Sequence, residues 1–127
     1  MQIKTGVDII EVARIKEAIN KSNDRFIYKV YTDNEISYCK SKKKLIYEHF
    51  AARFAAKEAC IKALSDLLVD KYELDWKDIE IINNENGKPK LIIHKNINCI
   101  SSIDVSMSHI NEYAIANVVI LVENDPN

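Results

Sequence analysis

Residues 48–68 read EHFAARFAAKEACIKALSDLL, the longest strongly periodic run in the chain. At about 100° per residue, Phe50, Phe54, Ile61, Leu64 and Leu68 fall on one stripe, with Ala52, Ala56, Ala59 and Ala63 on a small-residue face opposite. The spacing predicts a helix over 48–68 that is apolar on two sides and therefore covered on two sides. An alanine surface lets another backbone come close, so this helix belongs in the middle of the fold. Its charges are confined. Lys57 falls inside the large stripe, where an ammonium needs a partner or a route to water along its own stem. Glu58 and Lys62, four residues apart, share one edge and point into the same space, as an ordinary helix ion pair or toward a common ligand.

Working outward from that helix, residues 2–10 alternate as a strand does, with Ile3, Thr5, Val7 and Ile9 on one face and Lys4, Gly6, Asp8 and Ile10 on the other. Gly6 in such a strand marks close approach of a ligand or of another backbone. Val12, Ile15 and Ile19 then switch the period to helical, with Arg14 and Lys16 off the stripe, so the strand gives way to a helix just past Asp8. An acid there serves either as a helix-start acid or as a ligand. Asp24 is placed to cap a short helix holding Phe26, Ile27 and Val30, and Thr32 with Glu35 has capping-box spacing for a helix through Ile36 and Tyr38.

From Tyr72 the pattern turns to strands. Asp78-Ile79-Glu80-Ile81 and Leu91-Ile92-Ile93 flank a hairpin turn over 84–89, where Asn86-Gly87 supplies positive φ. Ile103, Val105 and Met107 alternate with polar residues, and the run from Tyr113 to Val122 returns after a turn at 110–112. The fold expected is α+β: an N-terminal strand, then helices, then hairpins, with helices packed on an antiparallel sheet. Residues 1–127 form one domain that ends in a polar tail over 123–127.

Composition narrows the function classes. Eighteen basic and 19 acidic side chains leave a net charge of −1, against the basic footprint of a general nucleic-acid binder. Lys40, Lys42, Lys43 and Lys44 form a local basic patch or a solvated loop. Cys39, Cys60 and Cys99 have no paired spacing, so neither a disulfide framework nor a zinc site is indicated, and a reducing cytoplasm suits them. No apolar run reaches membrane-spanning length, and the N-terminus lacks signal-peptide design. No membrane partner is expected.

Three polar features remain in apolar surroundings: Asp8, Glu58, and Ser108-His109 at the end of a late strand. Two carboxylates from separate elements can share a hard cation such as Mg²⁺, which fills its shell with water and phosphate oxygens. Lys57, Lys62 and His109 would then offer positive charge or donors to phosphate. No Walker loop and no GxGxxG is present. A lone His before a turn also serves as a capping or core group.

The ordered motifs Gly6-Val7-Asp8-Ile9-Ile10-Glu11 with Arg14, Arg53-Phe54-Ala55-Ala56-Lys57-Glu58-Ala59 with Lys62-Ala63-Leu64, Gly87-Lys88-Pro89, and Ser106-Met107-Ser108-His109 with Glu112-Tyr113-Ala114 carry a family likeness along nearly the whole chain. The chain resembles the holo-[acyl carrier protein] synthases, the small 4′-phosphopantetheinyl transferases. The resemblance implies Mg²⁺-dependent transfer of the 4′-phosphopantetheine arm of coenzyme A to a serine of apo acyl carrier protein, in support of fatty acid biosynthesis, with release of adenosine 3′,5′-bisphosphate. It implies Asp8 and Glu58 as metal ligands and, with Lys62, as the catalytic group. The serine proton would go to Glu58 or to a metal-bound water. Lys57, Lys62, Gly87, Pro89, Ser108 and His109 match coenzyme A contacts, and Arg14 and Arg53 carrier contacts. A homotrimer with sites between subunits is implied as well. One departure stands out: Ser65-Asp66-Leu67-Leu68-Val69 replaces the glycine-rich segment the family usually has after Leu64. The rival readings are a non-catalytic module docking a carrier protein and a transferase of broad carrier specificity.

Overall fold

The computed structural model describes residues 1–70 and 73–123. Its elements run β1 (Gln2–Glu11), α1 (Val12–Lys21), α2 (Arg25–Val30), α3 (Asp33–Lys40), α4 (Ile46–Ala63), β2 (Ile79–Asn83), β3 (Pro89–Ile93), β4 (Ile100–His109) and β5 (Tyr113–Val122). Helix α4 is the central element and is covered by two clusters, but these divide it along its length and not by the two expected faces: Ala52 of the small face lies with Phe50, and Leu64 of the large stripe with Ala56, Ala59 and Ala63. Ala56, Ala59 and Ala63 pack with Val105, Val118 and Ile120 of the sheet in one cluster, while Phe50, Ala51 and Ala52 join Val12, Ile15 and Ile19 of α1 in the other. Each fully buried large apolar side chain contributes about 1.5–3 kcal/mol, so both clusters hold α4 in place.

The sheet is antiparallel in the order β1-β5-β4, and β2 and β3 form a separate hairpin. Chain order gave no hint that the first strand pairs with the last, from Gln2 opposite Val122 to Glu11 opposite Tyr113. In the hairpin Gly87 alone takes positive φ, at 81°, and its N–H donates to Asn84 O at 2.9 Å. The capping box at α3 forms in full, with both reciprocal bonds between Thr32 and Glu35.

Two further expectations change. The α4 helix ends at Ala63 rather than Leu68, with Leu64 as its C-cap. Asp66 would put a negative charge at the helix C-terminus, which the dipole disfavours, and it instead pairs with Lys4 at 2.9 Å. Asp24 precedes α2 without a side-chain cap bond, and Ser22 Oγ accepts from the Phe26 N–H in its place, at 2.9 Å. In β1 the reading of Gly6 as a point of close approach holds. The strand's apolar face carrying Ile3, Val7 and Ile9 is exposed, at 69%, 51% and 61%, and the Lys4, Gly6, Asp8, Ile10 face lies against α4. Gly6 explains which face is inside: a Cβ there would stand 1.9 Å from Ala59 O and 2.8 Å from Ala63 N. The close approach is therefore to a helix backbone, made possible by glycine on one side and alanines on the other. The Tyr72 boundary and residues 124–127 of the expected tail lie outside the described residues.

Candidate active site

Because side chains alternate along β1, fixing Gly6 against α4 also turns Asp8 toward that helix. Glu58 meets it from the edge of α4. Helix α1 starts directly after β1, its Val12 N–H held by Glu112 O at 2.9 Å, which brings Arg14 to the same opening. Asp8, Glu58 and Arg14 line one cleft of about 550 Å³, whose remaining wall includes Ile15, Phe26 and Phe54.

Lys62 reaches across to β1 instead of along its helix: its Nζ donates to Asp8 Oδ1 at 3.1 Å and to Val7 O at 3.0 Å. Burial, and then the charge of Asp8, push the Glu58 carboxyl above the usual range, with Lys62 opposing. Two oxygen donors whose charges oppose one another, on two rigid elements, suit a hard cation that keeps most of its shell for water and phosphate. Among the described residues no group of three or more His, Cys, Asp or Glu side chains is arranged to hold a metal. The donor set thus fits Mg²⁺ with few protein ligands, and not a closed zinc-type site.

Lys57 is not at this cleft. It is fully buried, with Nζ 2.8 Å from Glu35 Oε1, and it donates to the carbonyls of Trp76 and Ile79. The other Glu35 oxygen, Oε2, accepts from the Ile81 N–H at 2.9 Å. Burial pushes the Lys57 pKa down while Glu35 holds it up. Neither a coenzyme A contact nor an ammonium extended to water is compatible with this placement. The reason is electrostatic: a charge in the stripe finds an interior counter-charge across α3 and β2.

Arg53 is likewise corrected as a carrier contact. It is 2% exposed, its guanidinium lies 4.3 Å from the Tyr38 ring centroid, and it donates to His49 O and to Asn83 Oδ1. A planar guanidinium stacks on an aromatic face better than it stays in water there. The His49 and His109 rings are 5.2 Å apart, and Asn83 Nδ2 donates to Gly87 O at 2.9 Å, so Arg53, His109 and the hairpin tip form a second polar group. Pro89 begins β3 opposite Asn83. Ser108 is exposed and His109 half-buried, on opposite faces of β4.

Sequence reasoning missed the interior roles of Glu35 and Glu80. Glu80 is 5% exposed, accepts from Thr32 Oγ1 and lies 2.9 Å from His94 Nε2. A glutamate between Ile79 and Ile81 was the available signal, since a strand residue flanked by isoleucines faces either solvent or a partner.

The chain matches, over residues 4–118, the family model described as the 4′-phosphopantetheinyl transferase superfamily. It is 40% identical over 120 residues to the holo-[acyl-carrier-protein] synthase of Chloroherpeton thalassium, a match that spans 93% of this chain and 97% of that one. It is similar to the crystal structure of a holo-(acyl-carrier-protein) synthase from Bacillus anthracis in complex with CoA (3′,5′-ADP), with a TM-score of 0.77 and 36% identity over 95% of this chain and 96% of that one. The Helicobacter pylori enzyme in complex with coenzyme A gives a TM-score of 0.79 and 34% identity, over 92% and 99% of the two chains. These likenesses bear out the α+β fold.

Proposed function

The chain belongs to the holo-[acyl-carrier-protein] synthases of the 4′-phosphopantetheinyl transferase superfamily, and from that premise we propose that it transfers the 4′-phosphopantetheine arm of coenzyme A to a serine of apo acyl carrier protein. The observation that carries the reading is the meeting of Asp8 and Glu58, with Lys62 alongside, at a cleft whose other wall is apolar. In the reaction the serine oxygen bonds to the phosphorus on the pantetheine side of the diphosphate. The bond to the nucleotide-side oxygen breaks, and adenosine 3′,5′-bisphosphate leaves.

Asp8 and Glu58 are the residues that would hold Mg²⁺, which when bound offsets charge on the diphosphate oxygens. Glu58, at the cleft beside Asp8, is placed to take the serine proton. Lys62 supplies a cation on the same edge. Ile15, Phe26 and Phe54 exclude water from one side of the cleft and fit an apolar side chain of a carrier helix, with Arg14 exposed at the rim for that helix's acidic residues. The second polar group suits the phosphate-rich nucleotide end through the half-buried His109 ring and the exposed Gly87 hairpin, with Arg53 fixed behind them by its bonds to His49 O and Asn83 Oδ1.

The two groups sit on different edges of α4, about 140° apart at 100° per residue between positions 53 and 58. A substrate that spans both is most simply served if one subunit supplies each. The exposed face of Ile3, Val7 and Ile9, continued by Ile115 and Val119 at 41% and 39% exposure, supports such self-association, and a homotrimer is the state proposed. Ser108 lies on that outer face too. Fatty acid biosynthesis in the cytoplasm is the role proposed for the charged carrier.

The test is incubation with coenzyme A, Mg²⁺ and a purified apo carrier, read by carrier mass. Asp8→Asn and Glu58→Gln should keep the fold and lose transfer by orders of magnitude, each 1.4 kcal/mol being about tenfold. Near-normal transfer by either variant would remove that carboxylate from the site.

A further inference from the structure

We propose that Lys62 is a resident counter-ion of Asp8 which a divalent cation displaces, so that the free protein takes the metal weakly and the coenzyme A diphosphate restores the affinity. The proposal rests on the metal reading of Asp8 and Glu58 given above. Its own ground is the geometry of one ammonium. Lys62 Nζ is held twice, by Asp8 Oδ1 at 3.1 Å and by Val7 O at 3.0 Å, so it is seated on the carboxylate and not merely near it.

The surroundings make that seat both stable and reversible. The Asp8 side chain is 17% exposed, whereas that of Lys62 is 55% exposed, so the lysine can withdraw into water while the aspartate stays. Other cations are differently engaged. Lys4, on the same face of β1, is bound to Asp66 at 2.9 Å, and Arg14 approaches the cleft from α1. Lys62 is therefore the cation in competition for Asp8. An ammonium and a divalent ion a few ångströms apart on one carboxylate repel each other, so a metal ligated by Asp8 favours departure of the ammonium from Oδ1. Withdrawal costs Lys62 two hydrogen bonds unless another acceptor is offered, and a diphosphate offers several anionic oxygens. Lys62 consequently links the two ligands: each is bound better in the presence of the other, by the same factor.

The experiment is titration of the free protein with Mn²⁺ as an Mg²⁺ surrogate, read by the spin-resonance signal of unbound Mn²⁺, without and with coenzyme A. Lys62→Met should bind Mn²⁺ about three- to tenfold more tightly than the unsubstituted protein, and coenzyme A should raise its metal affinity by a smaller factor. Adding Asp8→Asn to Lys62→Met should abolish the gain. Lys4→Met removes the same charge from the strand face that carries Asp8, and no gain is expected from it. Equal or weaker Mn²⁺ binding by Lys62→Met overturns the proposal, as does an equal gain from Lys4→Met, which would make the effect one of general charge. If Asp8→Asn and Glu58→Gln bind Mn²⁺ normally even with coenzyme A, the metal reading itself falls and this proposal with it. If those two lose binding and Lys62→Met does not tighten it, only the counter-ion role is refuted.

Discussion

Lys57→Met tests the interior charge network, because methionine nearly conserves the length of the stem and deletes only the ammonium. The loss leaves Glu35 buried at 0% exposure without its counter-charge, and it frees the carbonyls of Trp76 and Ile79 of a charged donor. Breaking a buried pair from one side costs about 3–5 kcal/mol. Glu35 retains the N–H groups of Thr32 and Ile81, both at 2.9 Å, which keeps the cost within that range and not above it. At a urea m-value of about 1.5 kcal/mol/M the midpoint should fall by roughly 2–3 M, a large share of the 5–15 kcal/mol typical of a domain. Glu35→Gln alone should also destabilise, and the double variant should lose clearly less than the two singles summed, since residues in contact are not additive. The alternative, in which Lys57 meets coenzyme A, predicts an unchanged midpoint and weakened coenzyme A binding. A midpoint shift equivalent to less than about 1 kcal/mol would refute the buried-pair reasoning, because that is the range of exposed pairs.

Gly6→Ala places a Cβ 1.9 Å from a backbone oxygen that no rotamer change can move, so denaturation should show a loss of at least about 3 kcal/mol; an unchanged melting temperature would mean that β1 does not lie against α4. Arg14→Glu should weaken carrier binding about tenfold through charge reversal and leave coenzyme A affinity unchanged, as separate titrations would reveal. Burial first, then the positive charges of Arg53, His109 and Lys42, lower the His49 pKa to about 4, so NMR titration should place its midpoint there. With the folded value below the unfolded one of about 6.5, the His49 contribution to stability is full above that pH, is lost as pH falls toward 4, and is constant below. A midpoint near 6.5 would show that His49 is not enclosed.

Period and punctuation carried most of the fold. The stripe Val12, Ile15, Ile19 is buried as expected, and the Thr32–Glu35 box forms. Alternation in β1 was legible, but alternation states only that two faces differ; it does not say which one is inside. Counting isoleucine and valine favours the Ile3, Val7, Ile9 face as the inner one, whereas the packing of α4 is decided by Gly6, a residue with no hydrophobic weight. The outer face keeps its apolar residues exposed within one subunit, so the glycine and not the count of apolar residues identifies the inner face. Glu35 shows a different limit. Its capping role was complete from spacing alone, which left no sign that its carboxylate also binds Lys57 and Ile81.

The charges of α4 sort by angle, and the angle was in the sequence. Arg53 and Lys57 are four residues apart, as are Glu58 and Lys62, and the two pairs stand about 140° from each other around the axis at 100° per residue. Lys57 lies within the large apolar stripe and Arg53 at its margin, and both face α3 and β2, where Tyr38, Glu35 and Asn83 receive them. The Glu58–Lys62 pair faces β1 and the cleft, where Asp8 and solvent do. A charge beside an apolar stripe on a helix covered from both sides has no water to reach, so it must be neutralised within the fold. A charge on the free edge has water and can exchange it for a ligand. Adjacent members of one motif, Lys57 and Glu58, thereby differ in surroundings: Lys57 is neutralised inside the fold, whereas Glu58 faces the cleft, and a motif read as a single binding unit conceals that division.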